Sequence, residues 1–139
     1  MGEDSAQSLV SRTSLLAGLV GGLVHAGVAV LLWDYFGFDN LGELLVTKPL
    51  VGMYIFLGMF ALGFVPVLFY VGQQFVSPAF VVGVSLLLSA FGSWLAGPAR
   101  APVGTPTPFG LYVLFWVGVV ALAGLTGGVE RKRRRGATG

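Results

Sequence analysis

The chain has 139 residues, of which 55% are hydrophobic and 10% are charged, and its mean hydropathy is +0.87. Soluble domains carry about 25% charged residues, and about a third of the surface of even a somewhat larger domain stays exposed to water, so this composition indicates a lipid bilayer as the solvent. The sequence contains no cysteine, which excludes disulfides, cysteine-ligated zinc, iron–sulfur clusters and thiol catalysis.

Four segments of the chain are long and apolar enough to cross a bilayer, which takes about 20 mostly apolar residues. They contain no Asp, Glu, Lys or Arg and comprise residues 13–33, 50–71, 78–96 and 109–128. The sequence therefore predicts an all-α fold, an antiparallel four-helix bundle that forms one membrane domain over residues 1–139. Residues 129–139 follow the fourth span as a basic tail.

The distribution of basic residues predicts the orientation of the spans. Five of the eight basic residues directly follow the fourth span: Arg131, Lys132, Arg133, Arg134 and Arg135. The positive-inside rule places them in the cytoplasm, and an even number of spans then places the N-terminus there too. We expect a multi-pass protein of the cell membrane with both termini cytoplasmic, and anionic lipids attracted to the tail at about 1 kcal/mol per basic residue. We do not expect nucleic-acid binding.

Small residues recur every four positions along the first span and form one row: Ser14, Gly18, Gly22 and Ala26. Helices associate in membranes through close backbone approach, which such a row permits. The second span carries Phe56, Phe60 and Phe64 at the same spacing. We predict that these phenylalanines enter the glycine groove and that the two spans are antiparallel neighbours. An oligomer interface is the alternative use of such rows.

The segment between the first two spans predicts a short helix outside the membrane. Asn40 followed by Glu43 fits a capping box, and Leu41, Leu44 and Leu45 would form an apolar face at the membrane surface.

His25 is the sole histidine and the sole side chain within the predicted spans that can carry a charge near neutral pH. Counting at 1.5 Å per residue from the cytoplasmic end places it roughly 18 Å deep, near the midplane. The same depth falls near Ser89 on the third span and near Trp116 on the fourth. We therefore predict a polar clasp in which His25 accepts from the Trp116 indole and donates to Ser89.

Three functional alternatives for His25 stay open beside the structural clasp. As a haem ligand it lacks the second histidine that membrane cytochromes commonly use, so a symmetric dimer or a partner would have to supply it. As a proton carrier it lacks a carboxylate relay within the spans. It could also contact a substrate or a lipid. The sequence predicts no catalytic residue, no cofactor and no metal site, and it contains none of the common catalytic motifs.

The sequence thus favours a non-enzymatic multi-pass protein, a scaffold or an accessory subunit of a larger membrane complex. The alternative is a small transporter or channel that acts as an oligomer. In length and span count the chain resembles the small four-helix multidrug transporters, but those carry a glutamate in the first span, where this chain has His25. An enzyme or redox subunit is the least favoured class.

The N-terminal segment contains the acidic pair Glu3 and Asp4, arginine outnumbers lysine, cysteine is absent, and glycine and valine are abundant. In these features of composition the whole chain resembles small four-span membrane proteins of unknown function from haloarchaea. The resemblance implies a prokaryotic plasma membrane and a high-salt cell, where screening weakens the attraction between tail and lipid. It transfers no functional residue.

Overall fold

The computed structural model describes residues 11–97 and 106–137. In this part of the chain there are six α-helices and no strand. The helices are α1 (Arg12–Tyr35), α2 (Leu41–Thr47), α3 (Pro49–Gln73), α4 (Ser77–Ala96), α5 (Pro108–Leu114) and α6 (Trp116–Gly136). The predicted all-helical fold is confirmed for these residues.

Three of these helices, α1, α3 and α4, are each long and apolar enough to cross a membrane. They coincide with the first three predicted spans to within two residues at either end. Helices α5 and α6 meet the same criterion only when taken together, and they are bent by 73° relative to each other. The described residues therefore contain three candidate spans, or four if the bent pair crosses as one.

The fourth predicted span, 109–128, is not one continuous helix. The Gly118 N–H, which would donate to the Leu114 carbonyl in an unbroken helix, donates to the Phe115 carbonyl at 2.9 Å. The Leu114 carbonyl instead accepts from the Tyr54 hydroxyl of α3 at 2.8 Å. A tertiary hydrogen bond therefore replaces the helical one at the bend, and it satisfies a backbone group that would be costly to leave unpaired in an apolar region.

Side-chain caps fix where three of the helices begin. The Ser11 hydroxyl accepts from the Ser14 N–H at 3.1 Å at the start of α1, and the Thr107 hydroxyl accepts from the Gly110 N–H at 3.1 Å at the start of α5. At α2 the Asn40 carboxamide accepts from the Gly42 N–H at 2.9 Å. Each of these side chains satisfies a donor that the first helical turn leaves unpaired. The predicted short helix and its Asn40 cap are confirmed.

Helices α1 and α3 pack closely along much of their length. A Cβ placed on Gly18 would lie 3.0 Å from the Phe64 ring, and one placed on Gly22 would lie 2.6 Å from the Phe60 ring. Successive contacts move toward the C-terminal end of α1 and toward the N-terminal end of α3, so the two helices are antiparallel. At the centre of the interface a Cβ on Gly63 would collide with the Gly21 carbonyl, so here one backbone lies against the other.

Helix α3 is the centre of the described structure because it packs against every other helix. On one side it contacts α1, and on the other it contacts α4, α5 and α6, which also pack against one another. The largest side chains that are fully buried come from α3 and α5 and include Met59, Leu62, Phe109 and Val113. Helix α1 does not pack along α4, so a groove remains open between them above α3.

Substitution of Gly63 by alanine tests the backbone contact between α1 and α3. The added methyl collides with the Gly21 carbonyl and the His25 Cβ, and overpacking of this kind costs about 1–3 kcal/mol. We expect Gly63→Ala to lower the free energy of unfolding in detergent by that amount. Gly27→Ala is the matched control, because a Cβ there meets nothing within 4 Å. Equal stabilities of the two variants would contradict this contact.

Candidate functional site

The His25 imidazole makes two hydrogen bonds that join three helices. Its Nδ1 lies 2.6 Å from the Met59 carbonyl oxygen of α3, and its Nε2 lies 3.0 Å from the Tyr112 hydroxyl oxygen of α5. A carbonyl oxygen only accepts, so Nδ1 must carry a hydrogen. In the neutral imidazole Nε2 then accepts from the Tyr112 hydroxyl, and both ring nitrogens have partners.

The local structure explains why His25 reaches these partners. Gly63 lies against the His25 Cβ, and this contact brings α1 near enough to α3 for the imidazole to reach the Met59 carbonyl. Tyr112 is buried in the last turns of α5, just before the bend at Phe115. The His25 and Tyr112 ring centroids are 6.3 Å apart.

The structure does not bring Ser89 to His25. The Ser89 hydroxyl donates to the Leu86 carbonyl of its own helix at 2.9 Å. A serine in an apolar helix can satisfy its hydroxyl in this way without any partner from another helix. Another serine of α4 does link two helices, since the Ser93 hydroxyl accepts from the Phe109 N–H at 2.8 Å.

Trp116 is also not a partner of His25. Its ring packs on Gly58 of α3 and lies 5.7 Å, centroid to centroid, from the Tyr54 ring. Its indole Nε1–H is buried and has no hydrogen-bond partner among the described residues. The predicted clasp was therefore wrong in both partners. Ser89 satisfies its hydroxyl within its own helix. The depth count for Trp116 assumed a straight fourth span, whereas α5 and α6 are bent by 73° and Tyr112 of α5 is the residue that contacts His25.

Two features of the sequence could have pointed to Tyr112. It is the single tyrosine in the predicted fourth span, and a buried tyrosine hydroxyl usually finds a hydrogen-bond partner. It also lies one helical turn from Trp116, within the error of a depth estimate. The Met59 carbonyl, in contrast, has no sequence signature, since every residue carries such a group.

The small-residue row of α1 lies in the interface with α3. All four of its residues, Ser14, Gly18, Gly22 and Ala26, are buried. Phe60 and Phe64 of α3 fill the space over the two glycines. Phe56 was predicted to enter the same groove, but it does not cover these glycines and 46% of its surface is exposed.

A groove of about 820 Å³ runs between α1 and α4, and we call it the α1–α4 groove. Small or apolar residues line it: Ala17, Gly21 and Val24 from α1, Gly63 and Pro66 from α3, and Ala79 and Gly83 from α4. Thr13 and His25 are the polar residues among its lining. A Cβ on Gly83 would meet nothing within 4 Å, so the α4 wall is open there. The lining contains no Asp, Glu, Lys or Arg.

A polar cluster ties α6 to the start of α4 at the end of the molecule where α1 begins, which we call the basic end. The Glu130 carboxylate accepts from the Ser77 hydroxyl and from the Ser77 N–H, the latter at 3.2 Å. Glu130 also pairs with Arg134 at 2.6 Å, and Arg134 donates to the Gln74 carbonyl at 2.9 Å. The hydrogen bonds from Ser77, followed by the contacts with Arg134, lower the pKa of Glu130.

The basic residues predicted to form a tail belong to the last turns of α6, which continues to Gly136. They are exposed, and the row comprises Arg131, Lys132, Arg133, Arg134 and Arg135. Cations at the C-terminal end of a helix interact favourably with its dipole. In the described part of the chain, no three His, Asp or Glu side chains are grouped to hold a metal ion.

The hydrogen bonds of His25 predict one imidazole tautomer. With a single histidine in the chain, ¹⁵N NMR of histidine-labelled protein should show a protonated Nδ1 and an unprotonated Nε2 at neutral pH. Tyr112→Phe removes the donor to Nε2 and should lower the free energy of unfolding by about 0.6 kcal/mol, and by no more than about 1.7 kcal/mol. Tyr35→Phe changes an exposed tyrosine and is the control. A proton on Nε2 would contradict the geometry.

The Glu130 cluster predicts a pH-dependent contribution to stability. Because the pKa of Glu130 is lowered in the folded protein, the cluster stabilises the fold above the ordinary glutamate pKa of about 4.3 and loses this effect as the pH falls through the lowered pKa. We expect the melting temperature of the wild type to fall over this acid range more than that of Glu130→Gln. Glu43→Gln, which alters a carboxylate outside the cluster, should keep the wild-type profile.

Comparison with protein-family models, with curated proteins and with solved structures finds no match to this chain.

Proposed function

We propose that the protein is a non-enzymatic, multi-pass scaffold or accessory subunit of the cell membrane, and that it receives a transmembrane helix of a partner protein in the α1–α4 groove. In this proposal α1, α3, α4 and the bent pair α5–α6 form an antiparallel four-helix bundle. Both termini lie in the cytoplasm, since the basic end carries Arg12 and the basic residues of α6.

The groove is the observation that carries the proposal. Its walls combine glycine and alanine from α1 with glycine and alanine from α4, and its floor is formed by α3. Without a hydrophobic driving force between helices in lipid, small residues that allow close approach are what favours association. A groove flanked by two spans and lined in this way fits an apolar helix better than it fits a polar ligand.

The absence of charge in the groove lining defines the chemistry of the partner. A partner helix with an ionised side chain at this depth would find no counter-charge among the lining residues, and a charged group in the bilayer is costly when unpaired. The partner segment is therefore expected to be apolar, with small residues on the face that contacts α1 and α4.

The hydrogen bonds of His25 support a structural role for this residue. Both ring nitrogens are engaged within the chain, one by the Met59 carbonyl and one by the Tyr112 hydroxyl. A metal or haem ligand needs a ring nitrogen free to coordinate. This geometry favours the clasp over the haem alternative, although its partners differ from those expected.

A second candidate function, a small oligomeric transporter or channel, is favoured by the bend between α5 and α6. Discontinuous helices line the substrate sites of many transporters. At this bend Trp116 has a buried indole N–H without a hydrogen-bond partner among the described residues. In this alternative the occupant of the α1–α4 groove is a second copy of the chain.

Filling the groove tests the proposal. Gly83→Leu places a bulky side chain on the open α4 wall, where a Cβ meets nothing within 4 Å. We expect a stoichiometric membrane-protein partner to copurify with the wild type, as measured by native mass spectrometry, and to be lost from Gly83→Leu. Gly118→Leu is the matched control, since Gly118 of α6 is equally open and lies outside the groove.

The absence of native cysteine allows a second measurement on the same positions. A photoreactive label on Gly83→Cys should cross-link to the partner, and the same label on Gly118→Cys should not. Retention of the partner by Gly83→Leu would overturn the proposal. Cross-linking from position 83 to a second copy of the chain alone would instead support the oligomeric transporter or channel.

A further inference from the structure

A smaller cleft lies at the basic end, between α6 and the segment that connects α3 to α4. Its volume is about 280 Å³, and its lining includes Phe69, Phe75, Pro78, Gly124, Gly128 and Arg131. We propose that this cleft, the Arg131 cleft, binds one anionic phospholipid, with an acyl chain along the glycines of α6 and the phosphate at Arg131. The site is separate from the α1–α4 groove and does not depend on the partner proposed for it.

The glycines of α6 create the apolar part of the cleft. Helix α6 touches the start of α4 through Gly127, where a Cβ would lie 3.2 Å from Pro78 Cγ. On either side of this contact, a Cβ on Gly124 or on Gly128 would meet nothing within 4 Å. The cleft therefore runs beside the helix contact, and the eight residues from Gly124 to Arg131 span about 10 Å along the helix axis.

The arrangement of charges directs an anion to Arg131. Glu130 is committed to Ser77 and Arg134, and Arg134 also donates to the Gln74 carbonyl. The Arg134 guanidinium lies 5.7 Å from the centroid of the Phe75 ring, a ring that also lines the cleft. No acidic side chain is among the cleft residues, so the Arg131 guanidinium is available to bind an external anion.

A phosphodiester is the anion that fits this position. The planar guanidinium binds two phosphate oxygens at once, and such paired hydrogen bonds are among the stronger ones in proteins. Basic pockets at the end of membrane spans bind anionic lipid head groups. The apolar cleft directly beneath Arg131 adds a place for the hydrocarbon chain, which a free phosphate ion would leave empty.

Binding of phosphatidylglycerol to the full chain tests the proposal, with zwitterionic phosphatidylcholine as the reference lipid. Native mass spectrometry of protein released from nanodiscs counts the bound lipids. We expect Arg131→Gln to weaken retention of one phosphatidylglycerol by about tenfold, the loss typical of a charged hydrogen-bonding group. Lys132→Gln removes the same charge one residue away, outside the cleft lining, and should leave that lipid bound.

A second pair of variants tests the hydrocarbon part of the site. Gly128→Leu places a bulky side chain in the cleft and should also reduce the binding of phosphatidylglycerol, whereas Gly118→Leu near the start of the same helix should not. Equal losses in Arg131→Gln and Lys132→Gln would show diffuse attraction to the basic end and overturn the proposal. Inorganic phosphate that displaces the lipid, and that raises the melting temperature as much as the lipid does, would overturn the proposal in favour of a soluble anion.

Discussion

The rest of the structure depends on the close approach of α1 and α3 where the Gly21 backbone lies against Gly63. No side chain larger than hydrogen fits at Gly63, since a Cβ there would collide with the Gly21 carbonyl. Because the helices meet backbone to backbone, His25 reaches the Met59 carbonyl directly. Helix α1 packs along α3 and not along α4, and the α1–α4 groove lies between α1 and α4.

The sequence predicts the helices and the buried face of α1 better than it predicts the polar contacts. The three unbroken candidate spans end close to their predicted limits because their ends coincide with prolines, capping residues and a loss of apolar character. The buried face of α1 follows from the spacing of Gly18 and Gly22, since close approach requires small residues at helical repeat. These are properties of local sequence, which a single chain displays.

The partners of His25 could not be predicted in the same way. One is a backbone carbonyl, which has no identity in a sequence. The other, Tyr112, lies in α5, which is bent by 73° from α6, and at this bend the Leu114 carbonyl accepts a hydrogen bond from Tyr54, 60 residues away along the chain. An estimate of membrane depth contains no information about such a tertiary contact, and the partner predicted from depth was therefore Trp116.

The hydrogen bond between His25 and Tyr112 joins residues 87 positions apart in the chain. By contrast, α1 and α3 are separated only by the short segment that contains α2. During synthesis the α1–α3 pair can therefore form as a hairpin while the later helices are still absent, since chains fold from the N-terminal side as they are made. The bond from the imidazole to the Met59 carbonyl needs only α1 and α3, whereas the bond to Tyr112 can form only after α5 has been added.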